Sequence, residues 1–164
     1  MLRNSARISG DAVYWKWNAG TFTAVSEFGD PLQHTSYALC IYDQSGPAPA
    51  LAMNALIPSG GTCGLRPCWN GRLSGFGYRN THRTPDGVLR VRLQSTARPS
   101  TLIIIAGGGA DLKVPTAASP TQMFAQNPSL TVQFIKSDAR QCWEATYPAP
   151  AVKNTSTLFR TVIP

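Results

Sequence analysis

The residues of this 164-residue chain with the types and spacing for chemistry are four cysteines, two histidines, a few acids and four tryptophans. Cys63 and Cys68 bracket Gly64-Leu65-Arg66-Pro67, and Trp69 follows at once. A second Cys-Trp pair stands at Cys142-Trp143, and Cys40 lies upstream in an apolar run. Four cysteines allow three disulfide connectivities. Locality favours Cys63 with Cys68, since Gly64 and Pro67 help a short loop to turn, and this leaves Cys40 to pair with Cys142 across two strands. The rival pairing, Cys40 with Cys63 and Cys68 with Cys142, removes a similar total of chain entropy, so magnitude does not separate the two. A structural zinc site would need a second ligand pair close in sequence, and Cys40 and Cys142 each stand alone.

The histidines point more weakly to chemistry. His34 follows Asp30, and His82 precedes Asp86. Serine-hydrolase chemistry would need a Gly-x-Ser-x-Gly elbow, and the nearest stretch, Gly71-Arg72-Leu73-Ser74-Gly75, has the wrong spacing. Asp30, Asp43, Asp86, Asp111 and Asp138 all neighbour turn residues, where a carboxylate caps backbone N–H groups. A calcium loop is the alternative use, but there is no Asp-x-Asp run. Glu27 and Glu144 alone do not make the paired carboxylates of a glycosidase. Gly107-Gly108-Gly109 lacks the Lys-Ser/Thr and helix start of a phosphate loop. The expectation is no catalytic residue, no metal and no cofactor. Trp15 and Trp17 share one face of a strand and form the candidate ligand platform, with core packing as their other reading.

Composition narrows the class. Charged residues are 14% and the chain has 14 Gly and 13 Pro, which argues for many turns and few solvated helices. The net charge is +7, but the 15 Lys and Arg are scattered. Arg90 and Arg92, on one face of one strand, are the densest cluster, and no basic stripe interleaved with aromatics appears, so nucleic acid is not expected as a partner. No run reaches the ~18 apolar residues of a membrane span.

Positioning these residues falls to short strands. Val13–Trp17, Thr35–Asp43, Ala48–Ile57, Trp69–Tyr78, Val88–Leu93, Leu102–Ile105, Leu130–Ile135 and Gln141–Tyr147 alternate or run apolar between turn signals, and 157–163 offers a last strand. In Val88–Leu93 the period places Leu89, Val91 and Leu93 inward and Arg90 and Arg92 outward. Tyr37–Asp43 is apolar on both faces, as a central strand would be. Asn18-Ala19-Gly20 and Thr84-Pro85-Asp86-Gly87 read as turns, Leu112–Pro115 as an edge piece, and 116–128 as a long loop. The expected fold is all-β, an antiparallel sandwich or jelly-roll-like domain of roughly eight to ten short strands over residues 1–164. Residues 1–12 read as a disordered or mis-started N-terminal segment, because the basic start lacks the apolar core of a signal peptide.

The order of Trp15-Lys16-Trp17, Phe28-Gly29-Asp30-Pro31, Tyr37–Asp43, Gly60–Cys63, Pro67-Cys68-Trp69, Thr84–Gly87 and Cys142–Ala145 resembles an uncharacterised Cys/Trp-containing domain of exported proteins from large-genome soil bacteria. The resemblance spans about residues 15–160. It implies an extracellular or envelope setting, often within a longer polypeptide, and implies no activity. The functional expectation is a non-catalytic structural, surface or adhesion module whose partners are other extracellular proteins, copies of itself or glycans. In one version the terminal run Thr157–Ile163 completes a neighbour's sheet. The alternatives are a carbohydrate-binding module using its tryptophans and, least favoured, a hydrolase using His34 or His82.

Overall fold

The computed structural model describes residues 1–18, 21–96 and 100–162. The sequence-predicted turn at Asn18-Ala19-Gly20 and the end of the terminal run, Ile163, fall partly outside them. Among the described residues fourteen strands run in chain order: β1 (Leu2–Arg3), β2 (Ala12–Trp17), β3 (Tyr37–Asp43), β4 (Ala50–Ile57), β5 (Thr62–Cys63), β6 (Arg66–Pro67), β7 (Trp69–Arg72), β8 (Gly75–Arg79), β9 (Val88–Ser95), β10 (Thr101–Gly108), β11 (Ser129–Lys136), β12 (Cys142–Pro148), β13 (Lys153–Asn154) and β14 (Leu158–Arg160). Among the described residues, helix is confined to two single 3-10 turns, at Ile8–Gly10 and Val25–Phe28. The larger sheet has the order β13-β14-β1-β2-β10-β9-β8-β7, the smaller β12-β11-β3-β4, and β5-β6 stands apart as a hairpin. All pairings are antiparallel. The fold is an all-β sandwich, as the turn-punctuated strand pattern predicts.

Alternation decides what lies between the sheets. β3 sends Tyr37, Leu39 and Ile41 inward, and it lies between β11 and β4, the central position that its two apolar faces predict. β12 has the clearest period: Trp143, Ala145 and Tyr147 are buried, while Cys142, Glu144 and Thr146 are exposed. An aromatic chain joins the layers. Trp69 of the larger sheet packs on Tyr78 at 5.0 Å and on Tyr37 of the smaller at 5.5 Å. Tyr37 stacks on Phe134 at 4.9 Å, which leads on to Trp143.

Several local expectations shift. The run Trp69–Tyr78 is a hairpin, β7 and β8, turned at Leu73-Ser74. In β9 the core face is Val88, Val91 and Leu93, while Leu89 is only half-buried. The cause is a bulge opposite Ala106/Gly107, which puts Gly107 across from Val88 and leaves Leu89 out of the ladder. β10 runs beyond the expected Ile105 to Gly108, and a Cβ on Gly108 would stand 2.3 Å from the Asp11 carbonyl oxygen, so only glycine lets the chains approach. Leu112 forms no edge strand but is buried as a core plug. Nor do the first twelve residues lie outside the fold: β1 pairs with both β2 and β14, and Leu2 is 2% exposed. An apolar side chain at position 2 and ladder partners on both sides are what draw this segment in.

The cysteine pairing is half as expected. Cys63 and Cys68 form a disulfide, Cα to Cα 4.9 Å, across the β5-β6 hairpin. A loop this short adds about 2 kcal/mol on chain-entropy grounds. Its other effect is directional: Cys68 and Trp69 are buried together, and the Trp69 indole N–H donates to the Pro58 carbonyl at 2.7 Å. Cys40 and Cys142 are free, which corrects both the predicted Cys40–Cys142 bridge and the rival pairing. β11 lies between their strands, with Cys40 opposite Gln133 and Cys142 opposite Ile135. Two strand spacings are roughly 10 Å, beyond the ~7 Å Cα separation a disulfide spans.

Burial raises the pKa of the phenols of Tyr37, Tyr78 and Tyr147 above the ordinary 10.0. Above pH 10 the unfolded chain therefore releases protons that the folded chain keeps. Stability is full below that pH and declines as pH rises from it towards the folded values. The urea midpoint should fall between about pH 9 and about pH 11; a constant midpoint would contradict the burial of these phenols.

Candidate ligand cleft

At the flank where β12 ends the smaller sheet, the two layers separate. Here a cleft of about 770 Å³ opens between β2, β1 and β14 on one side and β12 and β11 on the other. Its walls are largely apolar: Leu2 and Val13, Leu39 and Ile41, Leu130 and Val132, and Phe159. Glu144, Lys16 and Arg160 stand at its rim.

Both members of the predicted tryptophan pair line this cleft. Val13, Trp15 and Trp17 alternate inward from β2, away from Tyr14 and Lys16. Trp15 is buried, 5% exposed, and its indole N–H donates to the Tyr147 hydroxyl at 2.9 Å. Trp17 is half-buried, and its indole N–H donates to the Glu144 carbonyl at 3.1 Å. These two bonds join β2 to β12 across the mouth of the cleft. Trp15 and Trp17 therefore do not make an open two-ring surface: one ring is interior, and both N–H groups are committed within the protein. Trp69 and Trp143 are core residues, the latter donating to Thr23 Oγ1 at 3.0 Å.

β12 is an edge strand. The Glu144 carbonyl turns away from β11 to meet Trp17. Alternation of the antiparallel ladder puts the backbone groups of Cys142 and Thr146 on the same unpaired side. The flank thus combines an unpaired strand edge with an apolar cleft leading into the core. Sequence reading had no access to this: Leu39, Leu130 and Phe159 look like ordinary strand residues, and only the order of strands shows which edge is open. The one signal in the chain was the strict alternation of β12.

The other predicted sites separate in space. His34 and His82 are exposed on different loops. Among the described residues neither shares a hydrogen bond with a carboxylate; the backbone N–H of His34 meets the Asp30 carbonyl, and that of His82 the Asn80 side chain. Asp30 and Asp43 cap local turns, whereas Asp86 and Asp138 tie segments distant in the chain. Asp30 accepts from the Leu32 N–H, Asp43 from those of Ser45 and Ala125, and Asp86 from that of Leu56. Asp138 accepts the Thr35 hydroxyl at 2.6 Å, and that bond lowers its carboxyl pKa. Among the described residues no group of three or more His, Cys, Asp or Glu is placed to hold a metal ion. No helix among them is long and apolar enough to cross a membrane. No protein-family model, no curated protein and no solved structure matches this chain.

Proposed function

We propose that this chain is a non-catalytic structural or adhesion module of an exported polypeptide, and that it associates with a second copy of itself by strand addition at β12. The carrying observation is the unpaired β12 edge standing beside an apolar cleft that opens between the sheets. Strand addition takes its affinity from backbone hydrogen bonds along such an edge and its specificity from side-chain pockets next to it. Edges of this kind are normally blunted by charge, proline or a covering loop. β12 presents Glu144, whose carbonyl is taken by the Trp17 indole N–H, and ends in Pro148, which leaves the outward backbone groups of Cys142 and Thr146 to accept a strand. The terminal run, expected to be donated, is held in place by the short pairings of β14 with β1 and β13, with Phe159 buried against Phe124. The Cys63–Cys68 disulfide is compatible with an oxidising, extracellular setting.

Sedimentation of the full chain over a wide concentration range tests the proposal. Reversible association is expected, and Thr146→Pro, which removes an outward N–H from β12, should abolish it while leaving the melting temperature little changed. A chain that stays monomeric throughout, or a Thr146→Pro variant that associates as before, overturns it.

A further inference from the structure

The outer face of the larger sheet carries a second candidate site, independent of β12. Arg79 of β8 stands directly opposite Arg90 of β9. Arg92 stands opposite Gly77, which in turn faces Asn70 of β7. Arg72 of β7 lies at the next outward position and bends back over Gly77: a Cβ there would stand 3.2 Å from Arg72 Nε. Three adjacent strands therefore gather four arginines around a glycine that contributes no side chain. The result is a depression of about 280 Å³ in a patch roughly 10 Å across, judged from strand spacing.

All four arginines are exposed. The two ion pairs among the described residues, Lys113–Asp86 and Lys136–Asp138, involve none of them. Like charges directly opposite on neighbouring strands destabilise a sheet, and Arg79 with Arg90 is such a pair. Among the described residues no carboxylate pairs with them. A bound anion would neutralise them, and guanidinium groups grip carboxylate or sulfate through paired hydrogen bonds.

Two features narrow the anion. No exposed aromatic ring stands among the four arginines for bases to stack on, since Tyr78 is 3% exposed and points into the core. An exposed amide, Asn70, lines the depression, and its side-chain oxygen accepts a 3.5 Å bond from Arg72 Nε. A sugar hydroxyl can donate to the second lone pair of that oxygen, and a DNA phosphodiester backbone has no donor to offer. We infer that this face binds an acidic polysaccharide, with Arg72, Arg79, Arg90 and Arg92 holding its carboxylate or sulfate groups over Gly77.

Calorimetric titration of the full chain with polygalacturonate, dextran sulfate, uncharged dextran and duplex DNA tests this. At least one of the two acidic polysaccharides should bind, uncharged dextran should not, and binding should weaken with added salt. The double variant Arg79→Gln/Arg92→Gln should bind at least about tenfold more weakly. Gly77→Val, which keeps every charge but fills the depression, should also bind more weakly. Removing the like-charge pair with Arg79→Gln should raise the melting temperature by about 1–3 °C, whereas a merely structural arginine would lower it. Unchanged affinity in these variants, a lowered melting temperature, or no binding by either acidic polysaccharide overturns the inference. Duplex DNA binding as tightly as the polysaccharides also overturns it, in favour of nucleic acid.

Discussion

Truncating Tyr37 to Ala lowers the unfolding free energy by about 3–5 kcal/mol, read from urea or guanidinium unfolding of the full chain. Tyr37 is 1% exposed and lies where the two layers meet. It stacks on Phe134 at 4.9 Å within its own sheet and touches Trp69 of the other at 5.5 Å. Its hydroxyl donates to the Phe28 carbonyl at 2.6 Å. Alanine removes the ring and leaves a cavity with aromatic walls that cannot collapse far. Tyr37→Phe separates the two contributions: the ring stays and the buried Phe28 carbonyl loses its donor, which costs about 1–3 kcal/mol. Domains of this kind carry about 5–15 kcal/mol in all, so the Ala variant is expected to be partly unfolded on mild warming. A loss below that of the Phe variant would mean that Tyr37 is not the joint between the sheets.

Gly87→Ala is the second large effect, with a loss of about 3 kcal/mol expected from the same measurement. Gly87 closes the turn Thr84-Pro85-Asp86-Gly87 with a φ of +77°, a region where an alanine Cβ costs about 1–2 kcal/mol. That Cβ would also stand 2.6 Å from Leu112 Cβ and 2.8 Å from its backbone nitrogen. Leu112 is buried and has nowhere to retreat. Gly64→Ala distinguishes the causes, since Gly64 has a φ of +73° and no atom within 4 Å of an added Cβ. If the clash dominates, Gly87→Ala loses clearly more than Gly64→Ala; if the backbone dominates, the two losses match.

These two positions were unequally legible. Gly87 was marked by its own turn, because Pro, Asp and Gly in that order set backbone angles locally, but its contact with Leu112, twenty-five residues away, was not. Tyr37 was read as one residue of an apolar strand, and its role as a joint depends on what Trp69 and Phe134 bring to it. The cysteines divide in the same way. Cys63 and Cys68 are close in sequence with turn residues between them, and their bridge was foreseen. Cys40 and Cys142 were paired because they remained, and the intervening β11 keeps them apart.

The cleft and the arginine patch lay further out of reach. Trp15 and Trp17 were singled out because alternation puts them on one face, and they do line the cleft. Whether that face is open or buried depends on how close β12 approaches, and Trp15 proves to be interior. Arg90 and Arg92 were visible as a pair, two residues apart on one strand. Arg72 and Arg79 were not seen to belong with them, because that requires the registers of β7 on β8 and of β8 on β9.

By itself, then, the sequence determined the all-β class, the position of most long strands, the central place of Tyr37–Asp43 and the local disulfide. Each of these follows from periodicity, turn chemistry or short loop closure, which act over a few residues. Only the tertiary structure decided strand order and register, and with them the open β12 edge, the cleft and the gathering of four arginines around Gly77. Those features are sums over strands distant in the chain, set by which apolar faces bury one another, and no local pattern encodes them.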